Sequence, residues 1–259
     1  MAIATRVTST LSPTITQQSL SNAIKQAFID IGIGTVYSEY IPSSDSSLRT
    51  AFQIVIDPSK SAGVIYFRVR VMTNLVVGIA LSSSWDLATN TSTNPSNEFV
   101  SSAFTTTGAI TINAINGGNE FKLVHLVQGS IVAPLCFINP LKRPAWWDLN
   151  QWNYGFINTI NTFNTFSSTG LNPYANSLYD VSLNNSRLGS PNAQTNKRDI
   201  QLGFTLYSQS SRGIAGLTSD DLVSIAATST IRFDAVRTAE NREYLILHAS
   251  AGGLGCRVT

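Results

Sequence analysis

The sequence predicts a mainly β protein: two β-sandwich-like domains, with one N-terminal amphipathic helix in the first. Three observations predict it. Most apolar runs are short and alternate with polar residues at a period of two, the signature of half-buried strands. Only one stretch, beginning at Leu20, follows a helical period. Charged residues make up 12% of the chain, against roughly 25% in ordinary soluble domains. Abundant Ser, Thr and Asn keep the surface polar in their place, and these residues suit turns, strand edges and large contacts where charge is costly to desolvate.

After a short N-terminal segment, Leu20, Ala23, Ile24, Ala27, Phe28 and Ile31 form one helical face, with Asn22, Lys25, Gln26 and Asp30 opposite. Thr16 or Ser19 can cap its start, and Gly32 can end it in a left-handed conformation. A lone amphipathic helix ahead of many strands is expected to pack across a sheet or against a neighbouring subunit.

Strands are expected at 35–40 and 52–56, then at 64–72 after a turn at 57–63. In the last of these Ile65, Phe67, Val69 and Val71 share one face, with Arg68 and Arg70 on the other. Asn74 turns the chain into a hairpin partner at 75–81. Residues 82–107 read as a long polar loop stiffened by docking of Trp85 and Phe99. Strands at 107–115 and 121–127 flank the turn Asn116-Gly117-Gly118-Asn119, and 131–138 continues the sheet.

The run Pro140-Leu141-Lys142-Arg143-Pro144-Ala145-Trp146-Trp147 changes the texture of the chain. It divides the 259 residues into a helix-plus-antiparallel-β domain, 1–140, and a Trp-rich connector with a second β domain, 141–259. Within the connector, an Asn-Thr-aromatic/Ile triplet over 158–168 fits either a helical turn or a loop clamped by aromatics. Later strands are expected at 177–183, 200–207, 222–227, 230–236, 243–249 and 255–259, punctuated by Gly213, Gly216, Gly252 and Gly253.

Several function classes are excluded at this level. The formal net charge is +2 and the pI about 8.6, too little to steer the chain to nucleic acid or an anionic membrane. The pairs Lys142-Arg143 and Lys197-Arg198 are ordinary surface charge. No run reaches the roughly 18 apolar residues of a bilayer span, so membrane insertion is not expected. Residues 1–6 show no secretory signal, and the sequons at Asn90 and Asn184 are then chance matches. Cys136 and Cys256 sit in apolar runs as expected buried thiols, with a disulfide between them left open.

Nor does any grouping carry chemistry. His125 and His248 lie inside apolar strand candidates, with no G-x-S-x-G nearby. Metal-ligand spacings are absent, so no metal and no cofactor are expected. Asp220-Asp221 reads as a turn or a helix start capped by Thr218 or Ser219, and Gly252–Gly255 as a hairpin turn. A non-enzymatic chain is expected. Its most distinctive segment holds Trp146, Trp147, Trp152, Tyr154 and Phe156, the candidate interface. These aromatics suit inter-domain packing, a subunit contact or a glycan platform.

Four features carry a resemblance: the helix behind a short N-terminal segment, the strand run 64–71 followed by Ser84-Trp85, the block Pro144-Ala145-Trp146-Trp147-Asp148, and the closing Gly252-Gly253-Leu254-Gly255-Cys256-Arg257-Val258-Thr259. In these the chain resembles structural proteins of tailed bacteriophages, of the tail-fibre, baseplate and neck type found in cyanophages. The resemblance implies a virion part made in the cytoplasm of an infected bacterium. It would assemble as a homo-oligomer with other virion proteins, in the tail. A capsid decoration or cement protein is the nearest alternative. A host-surface glycan binder or depolymerase is another.

Overall fold

The computed structural model describes residues 5–33, 35–55, 64–82, 84–93, 98–118 and 121–138 continuously. Beyond these it describes 155–159, 162–164, 179–180, 200–203, 205–208, 213–217, 219–225, 234–238, 240–248 and 253–258.

The chain begins with β1 (Thr5–Leu11) and the helix α1 (Gln17–Asp30). A meander follows: β2 (Thr35–Tyr40), β3 (Leu48–Val55), β4 (Val64–Val71) and β5 (Val77–Ser82). β6 (Ser84–Asp86) and β7 (Thr91–Thr93) form a small hairpin, and β8 (Phe99–Val100) returns to pair with β5. β9 (Ile110–Gly117), β10 (Phe121–Gln128) and β11 (Ile131–Ile138) make a second meander. β12 (Gly155–Thr159), β13 (Thr162–Asn164) and β14 (Tyr179–Asp180) extend it. The remaining strands are β15 (Ile200–Leu202), β16 (Thr205–Ser208), β17 (Gly213–Leu217), β18 (Leu222–Ile225), β19 (Ala235–Arg237), β20 (Glu243–His248) and β21 (Gly253–Arg257).

All described pairings are antiparallel. The first meander forms a sheet in the order β2-β3-β4-β5-β8, and the second a longer sheet in the order β1-β9-β10-β11-β12-β13-β14. A third sheet runs β15-β18-β21-β20-β19, and β16 pairs with β17. The protein is therefore mainly β, with one helix among the described residues.

The helix is held at both ends by local chemistry. The Ser19 amide donates to Thr16 Oγ1 at 3.1 Å, and the Thr16 amide donates to Ser19 Oγ at 2.9 Å. Thr16 is thus the cap and Ser19 its reciprocal partner. At the far end Gly32 has φ +64. Its amide reaches the Ile29 carbonyl, and the Ile33 amide reaches Phe28, a Schellman closure. Lys122 on β10 adds a bond from Nζ to the Ile31 carbonyl at 2.7 Å, placing a cation at the negative end of the helix dipole.

The apolar face of α1 lies between the two larger sheets. It touches β3 and β4 on one side and β1, β9 and β10 on the other. One core joins Leu20, Ile24 and Phe28 to Phe52, Phe67 and Val69 of the first sheet, and to Ile112, Val124 and Leu135 of the second. The Phe28 ring sits 5.0 Å from Phe67 and 5.6 Å from Phe52. Removing it, Phe28→Ala, would cost about 3–5 kcal/mol because the side chain is fully buried in that core. The long sheet is buried on its other face too: Asn113, Ile115, Leu123 and His125 are fully covered although they point away from the helix core.

Some expectations need correction. β1 was not foreseen, because Thr, Ser and Arg dominate it. It lies at the edge of the long sheet with six of its seven residues exposed, so it needs no apolar alternation. The 82–107 stretch is not all loop: it carries β6, β7 and β8, although Trp85 does dock, 5.8 Å from Tyr40. The triplet segment is neither a helical turn nor a loop where it is described. β12 and β13 pair as strands, with Ile157 opposite Phe163. The expected strand 200–207 is two strands in different sheets, because Gly203 at φ +68 turns the chain between them. β17 was missed because its glycines read as punctuation. β11 and β12, which lie on either side of residue 140, are hydrogen-bonded neighbours in one sheet.

Candidate interaction surface

Trp146, Trp147, Trp152 and Tyr154 lie outside the described residues. Phe156 is in β12, where its backbone stands opposite Phe137 on β11 and Asn164 on β13. His125 is fully buried on β10, paired in register with Asn113 and Pro134. His248 ends β20 opposite Leu254.

Asp220 is exposed and Asp221 buried. The Asp221 amide donates to Ser219 Oγ at 3.1 Å, and its carboxylate lies 3.6 Å from Arg257. The pair forms a turn into β18, with the two carboxylates in different surroundings. Cys256 is a buried free thiol, so it is not bonded to Cys136. Burial pushes its pKa up to about 12, with Arg6 pulling the other way. A thiol in that state is a poor nucleophile.

Sequence reasoning missed the outer face of the helix-facing β2–β5 sheet. Its register builds three cross-strand rows: Gln53-Tyr66-Ser82, Ala51-Arg68-Ala80 and Arg49-Arg70-Gly78. Glu98, just ahead of β8, lies across the last two. Its carboxylate accepts from Arg68 Nη2 at 2.9 Å and also from Arg70 Nη2. It can lie there because Gly78 has no side chain: a Cβ on Gly78 would stand 3.0 Å from the Glu98 carboxyl. Both arginines are about 18% exposed.

Beside them Arg49 donates to Asp45 at 2.5 Å and stands over the Tyr40 ring. The Ser47 hydroxyl and amide, then Arg49, hold the Asp45 carboxyl down at about 2. Tyr37 packs edge-on to Tyr66 at 5.1 Å. Its pKa is raised, first by desolvation and then by Tyr66. The β6–β7 hairpin brings Trp85 onto Tyr40. A shallow cavity of about 240 Å³ opens between the 45–47 and 70–74 turns, with Arg70 in its wall.

This face thus gathers Tyr37, Tyr40 and Tyr66 with Arg49, Arg68 and Arg70, and Trp85 supports it from below, buried against Tyr40. Tyr, Trp and Arg are the residues that anchor protein contacts. Its guanidinium groups already hold carboxylates, so the arrangement offers planar apolar surface and fixed donors rather than a reacting group. The alternation Tyr66-Arg68-Arg70 on β4 was visible in the sequence; the partners from β2, β6 and the approach to β8 were not.

Among the described residues no group of three or more His, Cys, Asp or Glu could hold a metal ion. No helix there is long and apolar enough to cross a membrane. No family model matches the sequence, and no curated protein matches it.

Proposed function

We propose that the chain is a non-enzymatic structural subunit of a tailed-phage particle, placed in the tail as a fibre, baseplate or neck component, and acting by assembly. The observation that carries this reading is the outer face of the β2–β5 sheet. It combines the aromatic and arginine content of a protein contact with guanidinium groups already paired to carboxylates, Arg49 to Asp45 and Arg68 and Arg70 together to Glu98, which leaves one net positive charge. Such a face can be covered by a neighbour with little unpaired charge to desolvate. The low overall charge and the resemblance to phage tail proteins support the same reading, and the second aromatic group, Trp146 to Phe156, offers a further contact.

The test is to tag the chain during infection of its host and purify the particles. Tagged chain on the tail in particle images supports the reading. Label on the head moves it to the decoration or cement class. Release of reducing ends from host glycan would make it a depolymerase. A free monomer with no particle association refutes the assembly role.

A further inference from the structure

We infer that β1 is a pairing edge for a second copy of this chain, the two β1 strands meeting antiparallel across a two-fold axis to join two long sheets into one. The inference deepens the assembly reading by naming a surface and its partner.

β1 pairs with β9 over all seven of its residues, Thr5 with Asn116 through to Leu11 with Ile110. The other side of β1 has no strand neighbour among the described residues. Sheet edges left this way offer a row of backbone donors and acceptors, and proteins blunt them with lysine, proline, bulges or brevity. The other described edges of the larger sheets are blunted. β2 carries a register shift between Val36 and Ser38. β8 and β14 have two residues each, and β15 and β19 three. β1 has seven residues with neither lysine nor proline, and its register is unbroken.

The sequence of β1 is also self-complementary. Antiparallel pairing about Thr8 sets Thr8 opposite Thr8, Val7 opposite Ser9, Arg6 opposite Thr10 and Thr5 opposite Leu11. Every residue of the strand finds a partner. The one charge, Arg6, faces a hydroxyl rather than another arginine, so no like charges meet. Arg6 is already committed within its own chain: Nε and Nη2 donate to Asn113 Oδ1 at 3.1 and 2.7 Å. Thr8 Oγ1 donates to the same atom at 3.2 Å. These bonds hold β1 flat on the sheet and pre-order it. Val7 is 45% exposed, and the second strand would cover it. A C2 contact of this kind is isologous: the same patch serves both sides.

The register gives a specific test. Val7→Lys with Ser9→Lys puts lysine opposite lysine twice. Val7→Lys with Ser9→Glu puts lysine opposite glutamate twice, at the same two exposed positions. Sedimentation velocity of the full chain should show a dimer for the natural sequence. The Lys/Lys variant should dissociate at least about tenfold more readily, and the Lys/Glu variant should remain dimeric. Matching circular dichroism melts establish that both variants fold. Independently of any variant, amide exchange within residues 5–11 of the natural chain should slow as concentration rises.

A natural chain that stays monomeric at about 100 μM, a Lys/Lys variant that dimerises normally, or equal losses in both variants would overturn the proposal. A monomer that still joins purified particles would sink this edge and leave the structural role standing. A β1 dimer that never joins particles would do the reverse.

Discussion

Gly117→Ala is expected to destabilise the protein although alanine is the better strand residue. Gly117 ends β9 opposite Phe121, the first residue of β10. Its φ is not positive, unlike that of the neighbouring Gly118, so backbone conformation does not demand glycine. Space does. A Cβ on Gly117 would lie 2.2 Å from Phe121 Cε1, 2.4 Å from Cδ1 and 2.6 Å from Cζ. The ring must withdraw by more than 1 Å to reach ordinary contact, yet Phe121 is 1% exposed and among the largest buried side chains. Overpacking of this kind costs about 1–3 kcal/mol, and alanine returns about 0.5–1 kcal/mol of backbone entropy. The net loss is about 1–2 kcal/mol, several degrees of melting temperature. Urea unfolding of Gly117→Ala, Phe121→Leu and the double variant measures it. The double should be less destabilised than the sum, by roughly 1 kcal/mol, because the smaller side chain clears the methyl. A stabilised single variant, or strict additivity, would refute the reasoning.

Four other expectations concern polar groups, three of them short to state. Gln128 clamps the 105–108 loop: its Oε1 accepts from the Thr105 amide at 2.6 Å, and its Nε2 donates to the carbonyls of Thr105 and Gly108. Gln128→Leu should cost about 2–3 kcal/mol and speed exchange of the Thr105 amide; unchanged exchange would contradict the clamp. The Asp45 carboxyl is held at about 2 by Ser47 and Arg49. A depressed carboxyl stabilises the fold above its ordinary pKa of 3.8, and that contribution is lost as pH falls toward 2. Asp45→Asn should therefore differ from the natural chain by under about 1 kcal/mol at pH 6 and converge with it near pH 2, and a difference constant with pH would count against this. In a Cys136→Ser chain, Cys256 is the sole thiol. Raised to about 12 by burial, it favours the fold below the ordinary thiol pKa and costs stability as pH rises toward 12. At pH 8 it should resist a thiol reagent until denaturant is added, and rapid native labelling would refute its burial.

What the sequence made legible follows from where each element's apolar residues go. α1 could be read because one face of it enters a core and the other does not. β2 and β11 were read to the residue, since alternation or a turn marks both ends of each. β1 was invisible for the opposite reason: an exposed edge strand needs no apolar side, so nothing in Thr-Arg-Val-Thr-Ser-Thr-Leu distinguishes it from loop. Gly203 was read as lying within one strand, whereas at φ +68 it joins two; Gly213 and Gly216 were read as stops, whereas they lie within β17. The proposed interaction face was the least legible. The residues that build it come from β2, β3, β4 and β6, and only register places them in one patch. The sequence shows a local cluster such as Trp146-Trp147 easily and a distributed one hardly at all.

The distributed face also makes a demand that a local cluster does not. A lone guanidinium buried under a partner loses water without recompense, and the penalty is several kcal/mol. Arg68 and Arg70 reduce this penalty by sharing Glu98, which leaves the triad one net positive charge, with the Nε of each arginine buried and unpaired. The triad can be covered with its two ion pairs intact. Glu98→Gln keeps the shape over Gly78 and removes the charge. In the free chain the arginines remain partly exposed, so water screens the loss and stability should fall by only about 1 kcal/mol. Under a partner that screening is gone, and two uncompensated cations must be buried together. Association through this face should then weaken by more than stability does, by roughly tenfold or more for each additional 1.4 kcal/mol. Thermal unfolding and particle incorporation of the same Glu98→Gln chain separate the two effects. Normal incorporation of a variant with reduced stability would mean that Glu98 holds β8 in place and that partners meet the protein elsewhere.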